Sequence, residues 1–149
     1  MERRPVHHVS LLLVEDNPSD AELTLRVLGK HRLADRAYLV RDGAEALEFL
    51  FATGRYASRD ARDTPRVIFL DLKLPKVGGL EVLRAVRSDP RTRMVPVIVL
   101  TSSREAQDIA DSYRLGVNSY VVKPVDFGAF ERTVVDLGRY WLRLNEPPD

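Results

Sequence analysis

Five side chains capable of chemistry stand directly after short apolar runs. Glu15 and Asp16 follow Leu11–Val14, Asp71 follows Val67–Leu70, Thr101 follows Val97–Leu100, and Lys123 follows Ser119–Val122. Singly, each has a plainer reading: an acid or hydroxyl that caps a helix, a lysine that meets water. Together they form a pattern. Three carboxylates brought close repel one another and raise one another's pKa unless a cation intervenes. Hard oxygen donors with room for water suit Mg²⁺ better than zinc. With a metal lowering the barrier to an anionic donor, Asp71 could attack phosphorus as a nucleophile. The Thr101 hydroxyl and Lys123 ammonium would hold phosphoryl oxygens. Lys123 would offset the carboxylates in the empty site and the phosphate in the filled one.

That chemistry needs elements that deliver all five residues to one place. Val67-Ile68-Phe69-Leu70 is apolar without a break after Pro65, as are Leu11–Val14 and Val97–Leu100. Such runs read as strands buried on both faces of a sheet. Ala37–Val40 and Ser119–Val122 read as two further strands. Helical stripes lie between them. Asn17-Pro18-Ser19 opens the first, with the cap at Asn17 or Ser19 and Ala21, Leu25 and Leu28 as its stripe. Asp42-Gly43 reads as a turn before the stripe Ala44, Leu47, Leu50, Phe51. Leu80, Leu83 and Val86 mark a third helix, stopped by Asp89-Pro90. Ser102 and Glu105 have capping-box spacing for a fourth, through Ala106, Ile109, Ala110 and Tyr113. Asp126 caps a fifth, lined by Phe127, Phe130, Val134 and Leu137, with room to run to Leu144. Thr53–Pro65 reads as a long surface loop with solvated charges.

Strands alternating with helices imply a mostly parallel sheet covered on both faces. The expected fold class is α/β, a single-domain flavodoxin-like (βα)5 with strand order 2-1-3-4-5. Ligands of such sheets bind at the C-terminal strand ends, where all five residues lie.

Bulk properties exclude other classes. The 149 residues suit one domain, with 44% hydrophobic and 30% charged residues as in an ordinary globular protein. A net charge of +1 makes no case for nucleic acid. There is no cysteine, hence no disulfide framework, zinc-thiolate site or thiol nucleophile. No apolar run approaches the ~20 residues that span a bilayer, and the first nine residues lack a signal-peptide pattern. A cytoplasmic protein is expected. His7 and His8 are adjacent and make a poor chelate; both are expected to be exposed and without function.

Leu13-Val14-Glu15-Asp16-Asn17, Asp71-Leu72-Lys73-Leu74-Pro75 with Gly79, Thr101 and Lys123-Pro124 resemble the receiver domain of two-component response regulators, of which CheY is the familiar type. The resemblance runs from about Ser10 to Leu142. It implies Asp71 as phosphoacceptor. It implies Mg²⁺ held by Asp16, Asp71 and the backbone carbonyl of Lys73, with Glu15 helping through water. It implies Thr101 and Tyr120 as a switch pair, and a cis Lys123–Pro124 peptide. Glu-Asp-Asn-Pro-x-Asp, the long loop and Tyr140-Trp141 resemble the small regulators paired with bacterial phytochromes. Gly78 departs from the acid or amide that many receivers carry there, and removes no ligand.

The expected organisation is a tail over residues 1–9, a receiver over 10–144 and a tail over 145–149. With no output domain in view, the expected role is a stand-alone signalling module rather than an enzyme, phosphorylated by a histidine kinase or a histidine phosphotransfer protein. The expected kinase is a bacterial phytochrome, docking on the first helix. Tyr113, Val122, Tyr140 and Trp141 are candidates for an apolar patch on the fourth helix, fifth strand and fifth helix, and would make a symmetric homodimer. The competing enzyme reading is a phosphatase of the haloacid dehalogenase type. It expects an acid two residues after the nucleophile, where Lys73 stands, and a nucleophile near the N-terminus. A nucleotide-binding reading lacks a glycine-rich loop after the first strand.

Overall fold

In the computed structural model, which describes residues 8–148, five strands alternate with five helices. The strands are β1 (Leu11–Val14), β2 (Ala37–Val40), β3 (Val67–Leu70), β4 (Val97–Thr101) and β5 (Ser119–Val122). The helices are α1 (Pro18–Lys30), α2 (Gly43–Phe51), α3 (Gly79–Ser88), α4 (Ala106–Arg114) and α5 (Phe127–Arg139). A 3₁₀ turn covers Gly54–Tyr56, and a π-helical turn, Tyr140–Leu144, extends α5. The expected loose N-terminal tail lies outside the described residues except near its end. There His8 is exposed, with Nδ1 2.8 Å from Asp63 Oδ1.

The sheet is wholly parallel, in the order β2-β1-β3-β4-β5. This is the expected flavodoxin-like arrangement. The three inner strands are buried at every position. Continuous apolar runs tolerate this because helices cover both faces of a parallel sheet. On β3, alternate residues serve opposite layers. Ile68 and Leu70 join Leu12, Val14, Phe49 and Leu83 under α2 and α3. Val67 and Phe69 join Leu11, Leu13, Val27 and Phe130 under α1 and α5. The edge strand β5 is half-buried throughout.

Caps place several helices. Asn17 Oδ1 accepts from the Asp20 amide at 3.1 Å, and Pro18 takes the first turn of α1, where its missing N–H costs nothing. Asp42 does more than turn the chain. Its Oδ1 accepts from the Glu45 amide at 2.7 Å and caps α2. The core face of α2 is then Ala46, Phe49 and Leu50, while Ala44, Leu47 and Phe51 are only half-buried. The fourth helix starts later than a Ser102 cap would allow. Ser103 Oγ reaches Asp108 Oδ2 at 2.5 Å, and α4 begins at Ala106. In α5, Phe127 is exposed and Val135 and Gly138 join Phe130 and Val134 in the buried face.

The 53–65 loop is less solvated than its composition suggests. Tyr56 and Arg59 are buried. The Arg59 guanidinium lies 3.8 Å over the Phe49 ring and donates to the Phe49 and Asp63 carbonyls. A cation with an aromatic face and carbonyl acceptors can be withdrawn from water. Among the described residues every peptide bond is trans, Lys123–Pro124 included, which corrects the cis expectation. Trans is the lower-energy isomer of an X–Pro bond by ~0.5–1 kcal/mol.

Candidate functional site

Register builds the site. Val14 pairs with Leu70, so Glu15 and Asp71 leave the sheet side by side. Asp71 N donates to Val14 O at 3.0 Å, which fixes the start of the β3–α3 loop against β1. Thr101 pairs with Val122, and Lys123 N donates to Thr101 O at 2.7 Å. Four neighbouring strands therefore deliver acid, acid, hydroxyl and amine to one rim. Gly79 lets α3 begin against that rim. A Cβ there would collide with the Asp71 carbonyl and lie 2.6 Å from Leu72 Cα.

The Lys123 ammonium is the hub. Its side chain is 5% exposed, and Nζ lies 2.5 Å from Glu15 Oε1, 2.9 Å from Asp20 Oδ2 and 3.1 Å from Asp71 Oδ2. Its three N–H groups are thus all committed to carboxylates. Glu15, Asp16 and Asp71 each present an oxygen within a 4.8 Å cluster. Glu15 and Asp71 are buried and Asp16 is exposed at the mouth. This donor set is all oxygen, more acidic than one lysine can neutralise, and open on the Asp16 side. It fits a hard divalent cation.

The two buried acids divide the charge. Burial pushes Glu15 up to about 7; the hydrogen bond from Lys123 offsets this only in part, and the Asp71 charge adds to the rise. Burial also pushes Asp71 upward, but the Lys123 ammonium and the neighbouring polar groups of Glu15 and Thr101 outweigh it and hold the carboxyl below its usual value. Of the two, Asp71 is the easier to ionise. An ionised, buried carboxylate at the end of a strand is a competent nucleophile.

The other expected residues fall as follows. Thr101 is fully buried and its Oγ1 accepts from the Ser103 amide at 3.4 Å. Tyr120 packs on the α2–α3 core layer and its hydroxyl donates to Ser103 O at 3.0 Å. Lys73 lines the cleft with Asp16, Asp71, Thr101 and Lys123. Its amide donates to Asp71 Oδ1 at 3.3 Å, while Nζ turns away to Asp108 at 3.2 Å. Tyr113 and Tyr140 are 53% and 50% exposed. Val122 and Trp141 are half-buried, and Trp141 meets Tyr140 edge-to-face at 4.9 Å.

Sequence reasoning assigned no role to Asp20, Ser103 or Asp108. Asp20 was legible only as the last residue of Glu-Asp-Asn-Pro-x-Asp. Its direction depends on how α1 leaves the sheet. The dehalogenase-type alternative finds no support, since the position two after Asp71 holds an amine already paired with Asp108.

Residues 11–134 match the family model of the response regulator receiver domain. A probable methanogenesis regulatory protein of Methanothrix harundinacea, FilR2, is 41% identical over 138 residues, covering 93% of this chain and 86% of that protein. Response regulator Rcp1 of Synechocystis is 36% identical over 132 residues, covering 89% of this chain and 88% of its own. Among solved structures, the Mn²⁺-bound form of Rcp1 superposes with a TM-score of 0.88 at 34% identity, covering 95% of this chain and 99% of that one. The bacteriophytochrome response regulator AtBRR is 54% identical with a TM-score of 0.71, covering 94% and 99%. Fold, strand-end residues and family match agree: the chain belongs to the response regulator receiver family of two-component signalling.

Proposed function

We propose that Asp71 is the residue that accepts the phosphoryl group. The observation that carries this is its buried carboxylate, held 3.1 Å from Lys123 beside two further acids. One Asp71 oxygen bonds to phosphorus as the phosphorus–nitrogen bond of a donor phosphohistidine breaks. The bonding pair returns to the imidazole nitrogen. Asp16, Asp71 and the Lys73 carbonyl, with Glu15 behind, would hold Mg²⁺, which would neutralise part of the anionic donor's charge. Thr101 and Lys123 hold phosphoryl oxygens. The Mn²⁺-bound form of Rcp1 supports a divalent ion here.

Phosphorylation replaces the single charge of the Asp71 carboxylate with the nearly two of a phosphoryl group, placed further out in the cleft. Thr101 responds by moving toward the phosphoryl group, and Tyr120 follows into the space left. The Ser103 backbone, bonded to both, couples the two motions. The read-out is a changed surface on α4, β5 and α5 that includes Tyr113, Val122, Tyr140 and Trp141, used for a symmetric homodimer. The protein acts as a signalling module and not as an enzyme turning over substrate. Residues 10–144 form the receiver, with tails over 1–9 and 145–149. The donor is a histidine kinase, directly or through a histidine phosphotransfer protein. The 54% identity to the bacteriophytochrome response regulator AtBRR favours a bacterial phytochrome kinase. It acts in the cytoplasm without nucleic acid or membrane as partner; among the described residues no helix is long and apolar enough to cross a membrane.

Acetyl phosphate with Mg²⁺ tests the reading. Uptake of one acid-stable, base-labile phosphoryl group per chain is expected, and none by Asp71→Asn. Wild-type labelling of Asp71→Asn, or steady hydrolysis of many phosphomonoesters, overturns it.

A further inference from the structure

We propose that Asp20 is a positioning residue for Lys123, fixing the ammonium where it meets the incoming phosphoryl group. The inference rests on Asp71 being the acceptor. Lys123 Nζ spends one N–H on each of Glu15, Asp20 and Asp71, so it has none to spare. To bind a phosphoryl oxygen it must release one partner. The Asp71 contact is the longest of the three, at 3.1 Å against 2.5 and 2.9 Å. It is also the one that chemistry weakens, because phosphorylation of Asp71 turns its carboxylate into an uncharged acyl group bearing the phosphoryl. The third N–H then turns to the phosphoryl group while Glu15 and Asp20 keep the nitrogen in place. Two anchors from different elements, the end of β1 and the first turn of α1, define a position that one anchor could not.

Asp20 is built for this task. Its amide donates to Asn17 Oδ1 at 3.1 Å and its carbonyl accepts from Thr24 Oγ1 at 2.7 Å, so its backbone is tied at both ends. Its side chain is 27% exposed against 5% for Lys123. The carboxylate lines the cleft and is more exposed than the ammonium it contacts. It keeps a long, flexible side chain from swinging out through the cleft mouth. It lies outside the cluster of acids that could hold a metal, so its action on Lys123 is separable from cation binding.

The test is single-turnover labelling by acetyl phosphate at saturating Mg²⁺, with Mg²⁺ affinity measured by calorimetry on the same samples. Asp20→Ala is expected to lower the limiting rate about tenfold, the scale of a displaced electrostatic group, with Mg²⁺ affinity within about twofold of wild type. Asp20→Asn keeps an oxygen that accepts from an ammonium and is expected within about twofold of the wild-type rate. Asp20→Ala added to Lys123→Ala should lower the rate no further, since the two act through one contact. A wild-type rate for Asp20→Ala means an ordinary helix-first-turn acid and overturns the role. Faster labelling in both single variants means that Asp20 merely repels the donor, and a further loss in the double variant means that it acts without Lys123; either result also overturns it. Absence of label on the wild-type protein overturns the acceptor assignment itself, a failure distinct from these.

Discussion

Lys123 is a buried cation held by three carboxyl groups, and removing it should reveal what each of them costs. Lys123→Ala leaves Glu15, Asp20 and Asp71 facing one another without their counter-charge. Breaking a buried pair in this way costs about 3–5 kcal/mol. We expect a loss of that size in urea unfolding without metal, recovered in part by Mg²⁺, and the loss of phosphorylation-dependent switching with Mg²⁺ affinity retained. A collapse of Mg²⁺ affinity would contradict the assigned role. Glu15 makes a separate prediction. Its folded value stands near 7 against 4.5 for the free side chain, chiefly through burial. An acid with a raised folded value contributes stability that is full below its unfolded value and lost as pH climbs through the folded one. The cation-free protein should therefore lose stability between pH 4.5 and about 7, and Mg²⁺, which favours ionised ligands, should flatten that loss. Asp71, held below 3.8, acts in a lower window: its contribution is present above 3.8 and fades as pH falls further. A chelated protein whose stability stays level or rises over the upper window would refute the Glu15 prediction. Glu15, Asp16, Asp71, Thr101 and Lys123 were legible in the sequence because each ends a strand, where topology alone fixes the destination. Asp20 was not, because a residue one turn into a helix points wherever the helix tilt sends it.

Among the elements, strands were read more faithfully than helices. The runs at residues 11–14, 37–40, 67–70 and 119–122 coincide with the observed strands, and β4 gains only Thr101. An unbroken apolar run bounded by polar residues leaves little freedom. The face of α2 was read incompletely: Leu50 is buried and Leu47 and Phe51 pack on the core, but the stripe missed Phe49, which supports Arg59 and stacks on Tyr38 at 5.0 Å. The late start of α4 escaped notice because Ser103, rather than Ser102, makes the side-chain bonds. One contact between elements governs the site. Gly79 opens α3 against the Asp71 and Leu72 backbone, leaving no space for a methyl group. Gly79→Ala should push that backbone away, cost about 1–3 kcal/mol in stability as overpacking does, and slow labelling of Asp71 more than the stability loss explains. Wild-type labelling and stability in Gly79→Ala would mean the loop is free to shift.

In the whole molecule, the candidate site groups sit at the C-terminal edge of the sheet, and the surface proposed to report their state lies on the α4–β5–α5 side. The connection between them runs from Thr101 through Ser103 to Tyr120 and Asp108. Lys73 ties the acceptor's own loop to the same Asp108. A homodimer through that face predicts a two-chain species in sedimentation, with or without a phosphoryl mimic, that Tyr113→Arg returns to a monomer. A single chain in every state would remove the dimer from the account. The acceptor stands at the centre of all of it. The most direct measurement is reductive trapping of the acyl phosphate with borohydride after acetyl phosphate labelling, followed by peptide mass mapping. Position 71 should appear as homoserine, at one per labelled chain. Homoserine at position 16 or 20, or reduction of Glu15, with Asp71 untouched would contradict the assignment of the nucleophile.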